Sequence, residues 1–555
     1  MALAPLPRRI RFLPNKKASL ARASNITHLA LTALLNASLM LSTLPILSIL
    51  PVLSYANDTL DDEEIYSDDF EMDFDEEGGR EGDSVTGKSK PKKTLIPAYF
   101  TLSHTLAYPT RNGNHPVVNR SALRAQMDYG FGEHYFLRLD AKAEVDQVYR
   151  GEAQYQSVSD EYYRRSKARE LFIQASLGPL SVKIGQQLVI WGKADSGVIT
   201  DVFSPRDLRE SIFTPVENSR LGQTMIVADY YIYNQESQQQ FSLVVNPDID
   251  VNEFARPGHP YGPNLIPNAS SLDAQFNNAI ILANSENVAP GFSLPDAEFG
   301  LRWTYTRDNF DVALMVADLV DNNPIIILNE ANNDLFSAQR PTTILTTILT
   351  TSPTTLPATS PTTLNSLFTS HYKRYQMLGG GFNWGDGNFV WKGEFAFKRG
   401  LSFNRLRPEA LTENIRNIRF EQVIRAVKRD SAEFAFGFDY DHNGQLSASL
   451  ELTHQALFNH HDAILLQGRD ESSNLYGVVT QKWRNDTLTG SYTSGYQIQD
   501  KDLFHRLELS YDISDKWSTT IRGDYFQIKD ATQSNSLFGA LANKDRVSLQ
   551  VNYDF

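Results

Sequence analysis

Residues 545–555 read DRVSLQVNYDF. Val547, Leu549, Val551, Tyr553 and Phe555 alternate with Arg546, Ser548, Gln550, Asn552 and Asp554. A strand has a side-chain period of two, so this stretch predicts a strand with one apolar and one polar face. In a soluble sandwich the apolar face would be core. In a transmembrane barrel it would meet lipid, with the polar face on a wet lumen. The rest of the chain decides between the two.

The chain has 555 residues, 24 Tyr, 31 Phe, 6 Trp and no Cys. Mean hydropathy is −0.36. After the N-terminal segment no run reaches the ~18 apolar residues of a membrane helix. Abundant aromatics with polar average hydropathy suit a barrel, in which every second residue can be polar. Without cysteine there is no disulfide and no thiolate chemistry. Residues 1–56 read as an export signal. Arg8, Arg9, Arg11, Lys16, Lys17 and Arg22 carry its six positive charges against no acid, and an apolar stretch Leu29–Tyr55 follows, broken by Pro45 and Pro51. Ser54-Tyr55-Ala56 offers small residues where a signal peptidase cuts. Removing the signal takes those six charges away, so the formal charge moves from −14 to −20. Asp58–Asp83 holds 14 acids against Arg80 alone, within an expected disordered periplasmic segment, 57–93. Its plain role is a solvated tail; its sharper one is a docking arm for a basic periplasmic partner or a lid over the pore. The charge sign argues against nucleic acid.

From residue 94 onward strand patterns recur. Leu137, Leu139, Ala141, Ala143 and Val145 oppose Arg138, Asp140, Lys142, Glu144 and Asp146; Phe389, Trp391, Phe395 and Phe397 oppose Lys392, Glu394 and Lys398. Phe434–Tyr440 and Leu507–Ile513 alternate in the same way. Short Gly-, Asn- and Asp-bearing turns are expected at 130–133, 178–179, 307–309, 385–388, 441–444, 484–486 and 514–516. Between them lie long segments at Glu152–Arg165, Asp195–Ser219, Asp248–Asp296, Asp321–Ser370, Leu401–Lys428 and Phe458–Glu471. Thr342–Leu364 is a Thr- and Pro-rich insert in one of these loops. Short turns on one side and long loops on the other are the asymmetry of outer-membrane barrels. The count is about 18 strands, falling to 16 if the weak candidates at Phe241–Val245 or Asn309–Leu319 fail. The fold class is thus all-β: a transmembrane antiparallel barrel with short periplasmic turns and long extracellular loops, spanning 94–555. Tyr99, Trp303, Trp384, Trp391, Trp483 and Trp517 are expected in its interfacial girdles.

The most distinctive stretch is 182–220, VKIGQQLVIWGKADSGVITDVFSPRDLRESIFTPVENSR. A strand ends near Trp191, Gly192 turns the chain, and a loop dense in charge follows. Lys193, Asp195, Asp201, Arg206, Asp207, Arg209, Glu210 and Arg220 are candidates for the lumen. Folded inward, a loop of both signs makes a constriction with a transverse field. Alternatively, the charges pair simply to pin the loop to the wall. The pattern I-G-x-Q-x-x-x-W-G-x-x-D with D-V-x-S-P-x-D resembles a family of Gram-negative outer-membrane barrels of undefined function, companions of envelope exporters for hydrophobic compounds. The resemblance covers about forty residues and matches Trp191, Gly192, Asp195, Asp201, Pro205 and Asp207. The aromatic end of the chain likewise resembles the closing strand of such barrels. That likeness implies an assembly signal at Tyr553 and Phe555, read by the barrel-assembly machinery.

No catalytic or metal site and no cofactor is expected. His460-His461-Asp462 has no partner at ligand spacing, and Ser449 with His454 carries no hydrolase signature. The reading is therefore a non-enzymatic porin-like channel in the lipid of a bacterial outer membrane, narrowed by loop 195–219. Two alternatives stand beside it. One is an accessory barrel of an export system whose acidic arm recruits a periplasmic partner; the other is an adhesin.

Overall fold

A computed structural model describes residues 98–111, 113, 115–150, 162–256, 259–261, 289–328, 368–406, 424–460, 470–530 and 537–555. The expected signal (1–56), the acidic segment (57–93) with Asp58–Asp83, residues 94–97, Thr342–Leu364, His461 and Asp462 lie outside these residues.

Eighteen strands form the wall. They are β1 (Ala98–Pro109), β2 (Val118–Phe131), β3 (Tyr135–Asp146), β4 (Arg164–Leu177), β5 (Leu180–Gln187), β6 (Gln223–Asn234), β7 (Ser237–Ile249), β8 (Glu298–Arg307) and β9 (Phe310–Val320), then β10 (Arg374–Asp386), β11 (Phe389–Leu406), β12 (Ile424–His442), β13 (Leu446–Leu457), β14 (Glu471–Trp483), β15 (Leu488–Gln497), β16 (Asp502–Ser514), β17 (Trp517–Gln527) and β18 (Arg546–Asp554). Each pairs antiparallel with the next, and β18 pairs back onto β1 from Thr101↔Asp554 to Pro109↔Arg546. That pairing closes the cylinder and leaves no free edge. The Phe555 ring stacks on Phe100, their centroids 5.8 Å apart. At ~4.8 Å between strands and a tilt of ~40°, the backbone cylinder is roughly 35 Å across.

The tight connections follow from turn chemistry. Asp308, Asn443, Asn485, Asp486, Gly132, Gly178, Gly387 and Gly444 all take positive φ, a region open mainly to Gly, Asn and Asp. Two tight turns have no residue at positive φ, Asp515-Lys516 between β16 and β17 and Gln235-Glu236 between β6 and β7, and only the second has no Gly, Asn or Asp at its two turn positions. Both weak strand candidates are present, as β7 and β9. The expected loop Leu401–Lys428 needs correction at both ends. Leu401–Leu406 and Ile424–Lys428 continue the β11–β12 ladder past a bulge after Lys398. Inside the expected segment Asp321–Ser370, Ile325–Leu328 pairs with Phe368–His371.

The surface is inverted relative to a soluble protein. Leu171, Ile184, Leu301, Leu314, Leu378, Phe436 and Ile521 all lie exposed, and Leu507 is 65% accessible. Each sits on the outward face of its strand. An apolar patch of this extent makes sense only against lipid. Trp303, Trp384, Trp391, Trp483, Trp517 and Tyr99 lie toward the end of the cylinder that carries the short turns, where an interfacial girdle belongs.

Leu314→Arg, on the lipid face of β9 opposite Gly380, should lower the unfolding free energy by about 2–4 kcal/mol. Ser491→Arg, on the lumen face of β15, should lower it by less than about 1 kcal/mol. Equilibrium denaturant unfolding of the refolded barrel measures both.

Candidate functional site

Residues 188–222 leave β5 and return as β6, and between the two they cross the bore. Ser204 ties the two limbs together: its Oγ accepts from Val189 N at 3.1 Å and donates to Val189 O at 3.3 Å. Trp191 meets Phe203 edge-on, centroids 4.8 Å apart. Both rings press on the wall at Gly300 of β8, where a Cβ would sit 2.5 Å from each. Gly192 is needed for a similar reason, since a Cβ there would approach Asp201 Cβ at 3.0 Å. With Ile199 and Val202 these rings cover an apolar inner wall of Met225, Val227, Val244, Met315, Leu319 and Met377. Where the loop covers them, β6, β7, β9 and β10 are therefore apolar on the inward face, unlike the wet lumen expected on every strand.

The tip of the loop is held through its backbone. Glu394 of β11 accepts Lys193 N at 2.6 Å and Ala194 N at 2.8 Å on Oε2, and Thr200 N at 2.6 Å and Thr200 Oγ1 at 2.7 Å on Oε1. Glu451 of β13 accepts Asp195 N and Ser196 N, each at 2.9 Å, and also Ser196 Oγ. Four successive N–H groups thus clasp two buried carboxylates. Around them Lys193 Nζ pairs with Asp311 of β9 at 3.0 Å. Asp195 pairs with Lys392 of β11, which also takes Asp439 of β12 at 2.9 Å. The Asp195 side chain is 65% accessible.

The second half of the loop reaches the opposite arc. Asp201, 4% exposed, accepts from Arg206 at 2.6 Å and Arg220 at 2.8 Å. Pro205 O accepts Leu221 N at 2.8 Å, joining these limbs. Asp207 pairs with Arg209 at 2.5 Å and with Arg165 of β4 at 3.0 Å. Glu210 pairs with Arg120 of β2, with Arg546 of β18 3.8 Å away. Arg506 of β16 donates to Ile212 O at 2.8 Å, and Arg522 of β17 to Phe213 O at 3.3 Å. The Arg546 guanidinium lies 3.9 Å over the Phe213 ring. Residues 250–256 run alongside, with Glu253 N donating to Arg206 O at 2.9 Å and Glu253 carboxylate 2.5 Å from Arg165.

The sequence candidates therefore fall into three places. Lys193 and Asp195 face β9–β12. Asp201, Arg206 and Arg220 are buried within the loop itself. Asp207, Arg209 and Glu210 face β2, β4 and β18. The anchors on the wall (Glu394, Glu451, Lys392, Asp311, Arg120, Arg165 and Arg546) were not singled out. The available signal was that each is a charge on an inward strand face. His454 does not meet Ser449, which faces the lumen; its Nδ1 lies 2.8 Å from Ser473 Oγ on the lipid side. Among the described residues no group of three or more His, Cys, Asp or Glu is placed to hold a metal ion.

Several groups of the loop and the segment beside it have displaced acidities, among them Asp207, which burial raises to about 6 against the pull of Arg165 and Lys167. Burial would raise the Glu210 carboxyl, but Arg120 and Arg546 outweigh it and bring it to about 2. Burial against Tyr149 and Tyr162 pushes the His259 imidazole down to about 4. Its Nδ1 accepts Tyr261 N at 3.2 Å, which requires that nitrogen to be unprotonated.

The geometry defines a class: a closed transmembrane β-barrel whose bore is crossed by an internally anchored loop. Residues 111–555 match the family model described as a protein of unknown function, DUF1302, and the chain belongs to that family. None of the curated proteins matches it in sequence. Among solved structures it is similar to OccAB1 of Acinetobacter baumannii, 10% identical over 82% of this chain and 95% of that one, with a TM-score of 0.43. It is similar also to OccK2 (OpdF) of Pseudomonas aeruginosa in complex with glucuronate, 8% identical over 83% and 98%, TM-score 0.41. A third is OmpF of Salmonella typhi in complex with daunomycin, 8% identical over 83% and 97%, TM-score 0.37. Likenesses this distant say nothing about a solute.

Two outcomes follow from the anchors. Glu394→Ala leaves buried N–H groups of the loop unpaired and should cost roughly 3 kcal/mol of stability. It should also open 193–200 to added protease, read by mass spectrometry of the fragments. His259 has a folded pKa of about 4 against an unfolded value of ~6.5. Stability tied to it is complete above the unfolded value and is lost as pH falls through the folded one. His259→Gln should flatten that part of the melting-temperature profile.

Proposed function

We propose that this protein is an outer-membrane channel for passive passage of small solutes, with its short turns in the periplasm and its loop 188–222 as the constriction. The observation that supports this reading is the asymmetry of the bore. The first half of the loop packs onto the apolar inner faces of β6, β7, β9 and β10. The arc from β13 through β18 presents small polar groups instead: Ser447, Thr480, Ser491, Thr520, Gln550 and Asn552 are on inward faces. Several satisfy one another, as Thr480 with Ser491 at 3.1 Å and Ser510 with Thr520 at 2.9 Å. The same arc also carries charges on its inward faces, Glu451, Arg506 and Arg522 holding the loop and Glu508 and Asp524 pairing with the arginines, so it hydrates readily. An off-centre passage between it and the loop would meet the accessible Asp195 carboxylate, which is where solutes would be screened.

A second reading is favoured by the apolar packing of Trp191 and Phe203, which suits a permanent plug. On that reading the lumen is closed and the barrel serves as an accessory of an envelope export system.

Single-channel recording in planar bilayers separates them. A passage gives ohmic steps, and Glu394→Ala with Glu451→Ala should enlarge them by freeing the loop. Asp195→Lys should move the reversal potential in a salt gradient toward anion preference. Silence of the native chain, with steps appearing only in the double variant, would leave the plug.

A further inference from the structure

The outer wall carries a groove that neither passage nor plugging uses. Phe299 and Leu301 of β8 and Phe397 of β11 form its sides, and Val316 of β9 and Leu378 of β10 form its floor. Its volume is about 450 Å³, within the ~300–1,000 Å³ of ligand sites. All five side chains point away from the lumen.

Along β10 the groove ends at Gln376, eight residues beyond Trp384 of the girdle. At ~3.3 Å per residue and a tilt of ~40°, that distance is roughly 20 Å. The far rim therefore lies near the other boundary of a ~25 Å apolar band, where lipid head groups sit. There the wall turns polar, with Asp318, Gln376 and Arg399 at the rim. Arg374 is already committed to Asp318, Nε to Oδ1 at 2.7 Å. Asp430 turns to the backbone and accepts Gly400 N at 2.8 Å. Arg399 of β11 and Lys428 of β12 are exposed, and neither forms an ion pair among the described residues. Arg399 at the rim, with Lys428 further along on the neighbouring strand opposite Ser402, thus leaves surplus positive charge at the polar end of an apolar trough. The complement of that arrangement is an anionic head joined to an acyl chain.

We propose that this groove binds one molecule of lipid A from the outer leaflet, an acyl chain lying between Phe299 and Phe397 and a phosphate meeting Arg399 and Lys428. The proposal rests on the outer-membrane placement argued above, because lipid A forms the leaflet at the loop end. It does not depend on whether the lumen conducts.

Native mass spectrometry of the full refolded chain, released from detergent with lipid A added, tests it. The unmodified barrel should retain one lipid A. Arg399→Glu with Lys428→Glu should lower that occupancy about tenfold at fixed lipid, and dephosphorylated lipid A should bind the unmodified barrel as weakly. Leu378→Trp fills the trough and should also lower occupancy with the charges in place. Heat-dependent electrophoretic mobility confirms folding; should a reversal variant not fold, Arg399→Gln replaces it. Equal occupancy in the folded charge variants, or equal retention of phosphatidylglycerol or dephosphorylated lipid A, would overturn the assignment. Conductance recorded in phosphatidylcholine free of lipid A reads the channel separately, so either idea can fail alone.

Discussion

The interior depends on two carboxylates accepting hydrogen bonds from the backbone of a loop. A loop inside a wide cylinder carries N–H groups that must be satisfied, and few walls offer acceptors at the right place. Glu394 and Glu451 supply them from neighbouring regions of the barrel. Burying two carboxylates is costly in itself, and here that cost is offset by amide and hydroxyl donors rather than by cations. Because donors and acceptors are fixed in direction, the loop tip has one height and one rotation. Cation pairs at Lys193 and Asp195 then orient side chains on a tip that is already placed.

That fixed tip explains the composition of the wall behind it. On β13–β18 and β1–β4 the usual rule of apolar outside and polar inside holds well. On β6, β7, β9 and β10 both faces are apolar where the loop lies against them, because Met225, Val227, Val244 and Met315 meet Trp191 and Phe203 instead of water. A strand that is apolar on both faces is a strand covered on both faces. Gly300 completes the fit by leaving space where two large rings meet.

Much of the fold was legible in the sequence because period-two alternation and turn chemistry are local. The face assignments of β3, β11, β12 and β16, and the turns at Asp308, Asn443 and Gly387, needed no distant information. The Gln235-Glu236 turn escaped because it lacks a residue suited to positive φ. The continuation of β11 to Leu406 escaped because a bulge breaks its alternation. At the site, the loop was conspicuous by its charge density, whereas its anchors were not. Alternation says that Glu394 and Glu451 look inward; it is silent on what lies across the bore. Those partners stand 201 and 256 residues from the loop amides they receive. Whether each charge pins or screens likewise depends on burial, which separates Asp201 from Asp195 although they are six positions apart.

The long reach of the loop also bears on how the molecule is made. Phe213 O receives its bond from Arg522, 309 residues further along, so the crossing cannot be completed until one of the last strands is in place. Contacts so distant in sequence form late, after the closure entropy of the intervening chain has been met. A half-assembled barrel would therefore hold a slack, unsealed interior. Maturation of the constriction becomes a report that the cylinder has closed, and the C-terminal hairpin acts as the latch that sets it.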